Sequence, residues 1–288
     1  MKIRALAGYF ESFPNSECES TDSQYTNPCK PINHKDWRHL YSSIPPNTST
    51  HEYKLLLLAR HGQGFHNAAT DKYGQEAWNS YWCSLPGDEN GYWVDSKLTE
   101  LGQKQVSETG SQVLLPIVLQ LGFLPHKFYS SPMRRCLETF IGSWGEVFSA
   151  KTDLINKNGI LNIDIIEELR EMLNGYTCNN RISHSEAIKQ YQNYKTHSGV
   201  QLHWNYDDIY PELDAMWTST LRETKSMMDE RIMIALNKIL TKSTSDEKLI
   251  SITCHAYAID SILRITYHPA IKHLGTAKVV PLIIEVEK

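Results

Sequence analysis

The 288-residue sequence contains no apolar run near the roughly 18 residues of a membrane-spanning helix, and its opening, MKIRALAGYFESF, is broken by Glu11 before a signal-like core develops. It reads as a soluble chain without a secretory leader. Long Lys or Arg runs are also missing and the formal net charge is -4, so the basic footprint of a nucleic-acid binder is absent. Six cysteines (Cys18, Cys29, Cys83, Cys136, Cys178, Cys254) lie far apart with no CxxC pair. A chain of this length needs no disulfide staples, so free thiols in a reducing compartment, cytoplasmic or nuclear, are expected. Twelve histidines are present, but His61 and His66 lack i, i+4 spacing with a carboxylate base and no compact His/Asp/Glu cluster recurs, so no metal and no cofactor is expected. No internal repeat is found. What is present is an ordinary globular mixture, 41% hydrophobic and 22% charged, which excludes a mostly disordered chain and fits one large domain with an insertion.

Residues 13–50 are rich in Ser, Asn, Thr and Pro, so residues 1–52 read as an irregular N-terminal arm and the compact domain as residues 53–288. The run KLLLLA at 54–59 has the character of a strand buried on both faces of a parallel sheet, and its end delivers Arg60-His61-Gly62 into a loop. Thr99 opens a helical pattern that Gly122 stops as a C-cap glycine. A short strand over 127–130 leads to Ser131-Pro132, read as the cap and first turn of another helix. Further strands are expected over 160–166, 249–254 and 279–286, with helices over 223–240 and 257–267. This alternation predicts an α/β fold, three layers around a mainly parallel sheet, with a cap insertion over about 171–220. Ligands of such sheets bind at the carboxyl ends of the strands, where Arg60-His61, the segment from Ser131 to Arg135, and His255 all fall.

Adjacent Arg and His at the end of a buried strand need an anion or a carboxylate to coexist, and a phosphate satisfies both. At this point the sequence resembles a known family. Arg60-His61-Gly62 with Asn67 looks like the Arg-His-Gly signature of the histidine phosphatase superfamily, the phosphoglycerate-mutase-like proteins, in a fungal phosphomutase-homologue flavour. The run Ser131-Pro132-Met133-Arg134-Arg135-Cys136-Leu137-Glu138-Thr139 resembles the family's second motif. Leu169-Arg170-Glu171 with Gly175 is similar to its acid-bearing segment, and Thr253-Cys254-His255 to the strand that brings in its second histidine.

The resemblance implies a phosphatase that hydrolyses phosphate monoesters or related organic phosphates through a phosphohistidine. His61 is then the nucleophile, Glu171 the general acid and base, and His255 a stabiliser of transition-state charge, while Arg60, Arg135 and Asn67 bind phosphate. Arg134 is expected at the surface, and Glu223 as a group that orients its neighbours. Ala256 and Tyr257 depart from the glycine that usually follows the second histidine. A small phosphorylated molecule is the expected partner, with no nucleic acid and no membrane. Two alternatives are a phosphoglycerate-type phosphomutase and a degenerate non-catalytic binding module. The module should have lost the histidine or an arginine, and both are present. Against the mutase, the segment 171–220 holds only Arg181, Lys189 and Lys195 as basic residues besides histidines. Its His184, His197, His203, Trp204, Tyr206, Tyr210 and Trp217 suit either stacking on an organic leaving group or hydrophobic packing.

Overall fold

The computed structural model describes residues 2–155 and 159–288. Its centre is a seven-stranded sheet whose strands are β1 (Lys2–Ala5), β2 (His51–Arg60), β3 (Lys127–Ser130), β4 (Ile160–Ile165), β5 (Gln201–Asn205), β6 (Leu249–Cys254) and β7 (Val279–Glu287). In space they run β1-β7-β2-β6-β3-β4-β5. The five strands from β2 to β5 in that order pair in parallel, and β7 and β1 close one side by antiparallel pairing. Leu55 to Leu58 and every residue of β6 are buried, the signature of strands covered on both faces.

Nine α-helices lie among the described residues: α1 (Trp37–Ser43), α2 (Phe65–Tyr73), α3 (Gln75–Ser80), α4 (Glu100–Thr109), α5 (Leu115–Leu121), α6 (Arg134–Ala150), α7 (His184–Tyr191), α8 (Lys225–Lys242) and α9 (Ala256–Ile265). Leu56, Leu58, Ile250 and Ile252 pack against α8 and α9. Leu55, Leu57, Phe128 and Ile163 face the other way, toward α1, α5 and α6. The fold is therefore a three-layer α/β/α arrangement, and Gly122 ends α5 in the left-handed conformation that a C-cap glycine supplies.

Three local expectations are corrected. Residues 1–52 are not uniformly irregular, because Lys2–Ala5 pairs with β7 and extends the main sheet, and Trp37 and Leu40 of α1 enter the core. Those apolar residues are too sparse to show a period. Nor is residues 171–220 wholly a cap, since β5 is the far edge strand of the sheet and its Trp204 is core, packing edge-on against Phe140. Ser131-Pro132 does not start a helix either: α6 begins at Arg134, with Met133 in the capping position.

The loop after β2 is locked by α4. Thr99 N donates to Gln63 O at 2.9 Å, and Thr99 Oγ1 accepts from Gly102 N at 3.0 Å to cap the helix. A Cβ on Gly102 would lie 2.1 Å from Gln63 O, whereas one on Gly145 in α6 would meet nothing within 4 Å. Alanine is a better helix former than glycine by about 1 kcal/mol. Gly145→Ala should accordingly raise stability by roughly 0.5–1 kcal/mol. Gly102→Ala should lower it by roughly 1–3 kcal/mol, because overpacking outweighs the propensity gain. Urea unfolding of the two variants checks the contrast, and stabilisation by both would show that α4 does not press on this loop.

Candidate active site

Parallel register aligns the carboxyl ends of four adjacent strands. Arg60 pairs with Cys254, so His61 and His255 leave β2 and β6 at one level. Ser130 pairs with Thr253 on one side and Ile165 on the other, which brings Ser131 and the turn after β4 to the same rim. His61 N donates to Cys254 O at 3.1 Å, and Ser131 N to Thr253 O at 2.9 Å.

The His61 ring is buried. Its Nδ1–H donates to Gly62 O at 2.7 Å, which fixes the tautomer and leaves Nε2 with its lone pair. Burial, then the charges of Arg135, His66 and Arg60, hold this imidazole well below its ordinary pKa, so it is neutral. Gly62 N donates to Thr139 Oγ1 at 3.0 Å, and a Cβ at residue 62 would meet Gly102 O and Val106 at 2.8 Å. Arg60 reaches back to Leu274 O through Nη1, while its Nε is buried without a partner among the described residues.

His255 caps α9 with both ring nitrogens engaged. Arg135 Nε donates to His255 Nδ1 at 3.3 Å; Nδ1 is therefore the acceptor, and Nε2–H donates to Ser131 Oγ at 2.8 Å. Burial and the Arg135 charge hold this histidine neutral as well. Ser131 is thus spent on His255 rather than on a helix cap. Arg135 also donates to Cys178 O at 2.8 Å and to Asn179 Oδ1 at 3.1 Å.

Arg134 is not a surface residue. Successive helical residues point about 100° apart, so Arg134 faces away from Arg135, and it is buried there against another loop. Its backbone N donates to Asp95 Oδ1 at 2.9 Å, and its Nε and Nη2 donate to Asp95 O at 2.7 Å and Val94 O at 2.8 Å. Asp95 Oδ2 accepts from Ile182 N at 3.0 Å, so the Arg134–Asp95 pair ties two rim segments together.

Glu171 follows the 3-10 turn after β4. Its Oε1 accepts from its neighbour Met172 N at 2.9 Å, and burial raises its pKa against the opposing pull of that bond and of Arg135, Arg60 and Arg231. Glu223 has the supporting place that the sequence suggests for it. Arg231 pairs with Glu223 at 2.7 Å and donates to the carbonyls of Glu168, Arg170 and Glu171, while Glu223 Oε2 accepts from Leu173 N at 2.9 Å. The ligating atoms of His61, Glu171 and His255 lie within 4.8 Å of one another. Three such groups could surround a cation, but both His255 nitrogens are engaged and two guanidiniums add positive charge to the same space. The donor set fits an anion better.

Asn67 lies in the first turn of α2, where its Oδ1 accepts from Gly64 N at 3.0 Å and its Nδ2 has no partner among the described residues. The structure adds His66, which no motif singled out as phosphate-binding; its ring centre is 5.5 Å from that of His61. Aromatic rings gather in two separate clusters. Trp78, Trp82 and Trp93, from the segment between α2 and α4, cluster with Tyr73 and Tyr176. His184, Tyr206 and Tyr210 form a separate ring cluster beside Arg181. Tyr257 is half exposed, beside a groove that also includes Met172 and Asp260.

The sequence profile of the histidine phosphatase superfamily (branch 1) matches residues 56–279. The chain is 50% identical over 286 residues to the probable phosphoglycerate mutase PMU1 of Saccharomyces cerevisiae, covering 99% of this chain and 97% of that protein. It is 30% identical to a probable phosphoglycerate mutase of Arthroderma benhamiae, covering 93% and 74%. Among solved structures, the phosphoglycerate mutase of Bacillus anthracis superposes with a TM-score of 0.48 at 15% identity, over 82% of this chain and 92% of that one.

The neutral histidines set a pH dependence for stability. His61, His66 and His255 titrate well below their ordinary value when folded, and burial depresses His268 to about 4. Below about pH 6.5 the unfolded chain binds protons that the folded chain refuses, so stability is lost as pH falls through that range. Glu171 has the opposite sign, since burial raises its pKa and the folded chain holds that proton more tightly than the unfolded chain does. Thermal unfolding should therefore show a melting temperature that falls steadily from pH 7 to pH 5. A flat profile over that interval would show the histidines to be charged in the folded chain.

Proposed function

We propose that this chain, which belongs to the histidine phosphatase superfamily (branch 1), is a phosphomonoesterase that acts through a phosphohistidine on His61. The observation that carries the reading is the division of labour on one buried imidazole. Nδ1 is committed to Gly62 O, which leaves Nε2 as a neutral nucleophile beside two arginines and a carboxyl group of raised pKa.

In the first step the His61 Nε2 lone pair forms the N–P bond while the bond from phosphorus to the leaving oxygen breaks. Glu171, protonated, gives its proton to that oxygen. Arg60 and Arg135 grip the equatorial oxygens and Asn67 Nδ2 adds a neutral donor, so the charge that develops is met by groups already in place. In the second step the Glu171 carboxylate takes a proton from water, the water oxygen attacks phosphorus, and the N–P bond breaks to return its electron pair to His61. Inorganic phosphate and an alcohol are the products, with the enzyme unchanged. His255, neutral in the resting site with its N–H given to Ser131, is assigned the stabilisation of negative charge after it exchanges that bond for one to the phosphoryl group.

A phosphomutase is the second reading, favoured by the names of the Saccharomyces and Arthroderma relatives. A mutase must hold a small, strongly anionic sugar acid, which needs cations beyond those for the phosphoryl group. Arg181 is spent on the carbonyls of Ile182, Pro211 and Leu213, and Lys189 and Lys195 are exposed. Arg222, packed over Gly175, is the cap residue that a mutase reading would call on. The balance of charge and aromatic surface favours hydrolysis.

His61→Ala should reduce kcat by roughly 10³ to 10⁶, and acid-labile phosphate should be trapped on the parent protein after a quench. Incubation with 3-phosphoglycerate and with a panel of phosphate esters separates the two readings. Phosphate release from several esters supports hydrolysis, and rapid formation of 2-phosphoglycerate without phosphate release overturns it.

The two adjacent arginines should also behave differently. Arg135→Ala should weaken orthovanadate inhibition at least tenfold, the loss of a charge-assisted contact. Arg134→Ala should mainly lower the melting temperature, because the loop at Asp95 loses its anchor. The reverse pattern would show that Arg134 is the phosphate ligand.

A further inference from the structure

Three imidazoles, not two, surround the space in front of the Arg60 and Arg135 guanidiniums. His61 lies 5.2 Å from His255 and 5.5 Å from His66, measured between ring centres. The first two have their Nδ1 atoms committed, to Gly62 O and to Arg135 Nε. The Nδ1 of His66 is buried and has no hydrogen-bond partner among the described residues. Buried polar atoms are hydrogen-bonded as a rule, and leaving one unpaired costs free energy. Its position is not accidental slack. The His66 backbone N donates to Ser96 Oγ at 3.3 Å, its carbonyl accepts from Thr70 Oγ1 at 2.8 Å, and a Cβ at Gly64 would lie 2.8 Å from Nδ1. The chain therefore keeps residue 64 bare where the ring leans.

From this placement we infer that His66 is a further phosphate-binding residue, donating a ring N–H to a non-bridging oxygen of the phosphoryl group on which His61 acts. The inference rests on the phosphohydrolase reading above and adds a residue to it. Charge supports the assignment. After burial, the fields of Arg135 and Arg60 help to hold the ring neutral. A neutral imidazole can donate to a dianion without adding a third positive charge to a buried rim, a service that lysine or arginine at this position could not give at the same desolvation cost. Packing alone does not account for a histidine here, because a phenylalanine ring would fill similar space and carry no buried polar atom.

The test is calorimetric binding of inorganic phosphate to the full chain, with melting temperature measured alongside. His66→Phe keeps a ring and removes both nitrogens. His66→Asn and His66→Gln place an amide near Nδ1 and Nε2 respectively. Phosphate affinity should fall about tenfold to a hundredfold in His66→Phe, the loss of one hydrogen bond to a charged group, with no fall in melting temperature. At least one of the amide variants should recover most of the affinity. Unchanged affinity in His66→Phe, or equal weakening in all three variants, overturns the assignment. If His66→Phe does not fold, His66→Ala against the better amide variant makes the same comparison. Failure here is distinguishable from failure of the wider reading, in which the parent protein itself would bind no phosphate and release none from any ester.

Discussion

Two guanidiniums share one buried rim with three imidazoles, and the arrangement holds because the imidazoles stay neutral. Desolvation and the arginine charges push in the same direction on His61, His66 and His255, so each remains a lone-pair donor or a neutral hydrogen-bond donor at ordinary pH. Were they charged, the rim would carry five positive groups against the Glu171 carboxyl, itself biased toward its protonated form by burial. The same condition leaves His61 Nε2 with a free lone pair, which the proposed reaction requires. Chemistry and stability therefore depend on one electrostatic constraint.

Arginine also does most of the work of holding the rim in shape. Irregular backbone at the carboxyl ends of the strands leaves carbonyls that no ladder satisfies. Arg134 takes up Val94 and Asp95, Arg135 takes Cys178, Arg170 takes Asn179, Arg181 takes Ile182, Pro211 and Leu213, and Arg231 takes Glu168, Arg170 and Glu171. Arg170 and Arg231 are in turn neutralised by Asp214 and Glu223. A guanidinium fork can satisfy several carbonyls at once and stays charged, which suits it to fastening loops that converge from different strands. Arg60 and Arg135 are the two that the proposed reaction assigns to the phosphoryl group; the others fasten the loops of the rim.

The periodic elements were legible in the sequence because their causes are local. Continuous apolar runs of strand length, such as 54–59 and 249–254, can be stable only where helices cover both faces, and the glycine at 122 marks a helix end by its own conformational freedom. The order of the Arg-His, Ser-Pro, Glu and His segments after predicted strands was legible for the same reason, since strand ends of a parallel sheet share a rim. Residue type alone then pointed to the chemistry proposed here: His for a nucleophile at neutral pH, Arg for phosphate, Glu for proton transfer.

Other features were decided only when distant segments met. The strand at 2–5 carries two apolar residues, too few to announce an edge strand, and it exists because β7 offers a row of backbone partners. Arg134 and Arg135 are indistinguishable as residues, and the start of α6 sends one to Asp95 and the other to His255. The tryptophans between α2 and α4 look unpartnered in the sequence, and the fold packs them into a cluster with Tyr73 and Tyr176. The sequence by itself determined the strand ends and the kinds of group they carry. Which nitrogens of His255 are occupied, where Arg134 and Arg135 each point and which way burial moves each pKa belong to the tertiary structure, because the partners of these groups come from segments far apart in the chain.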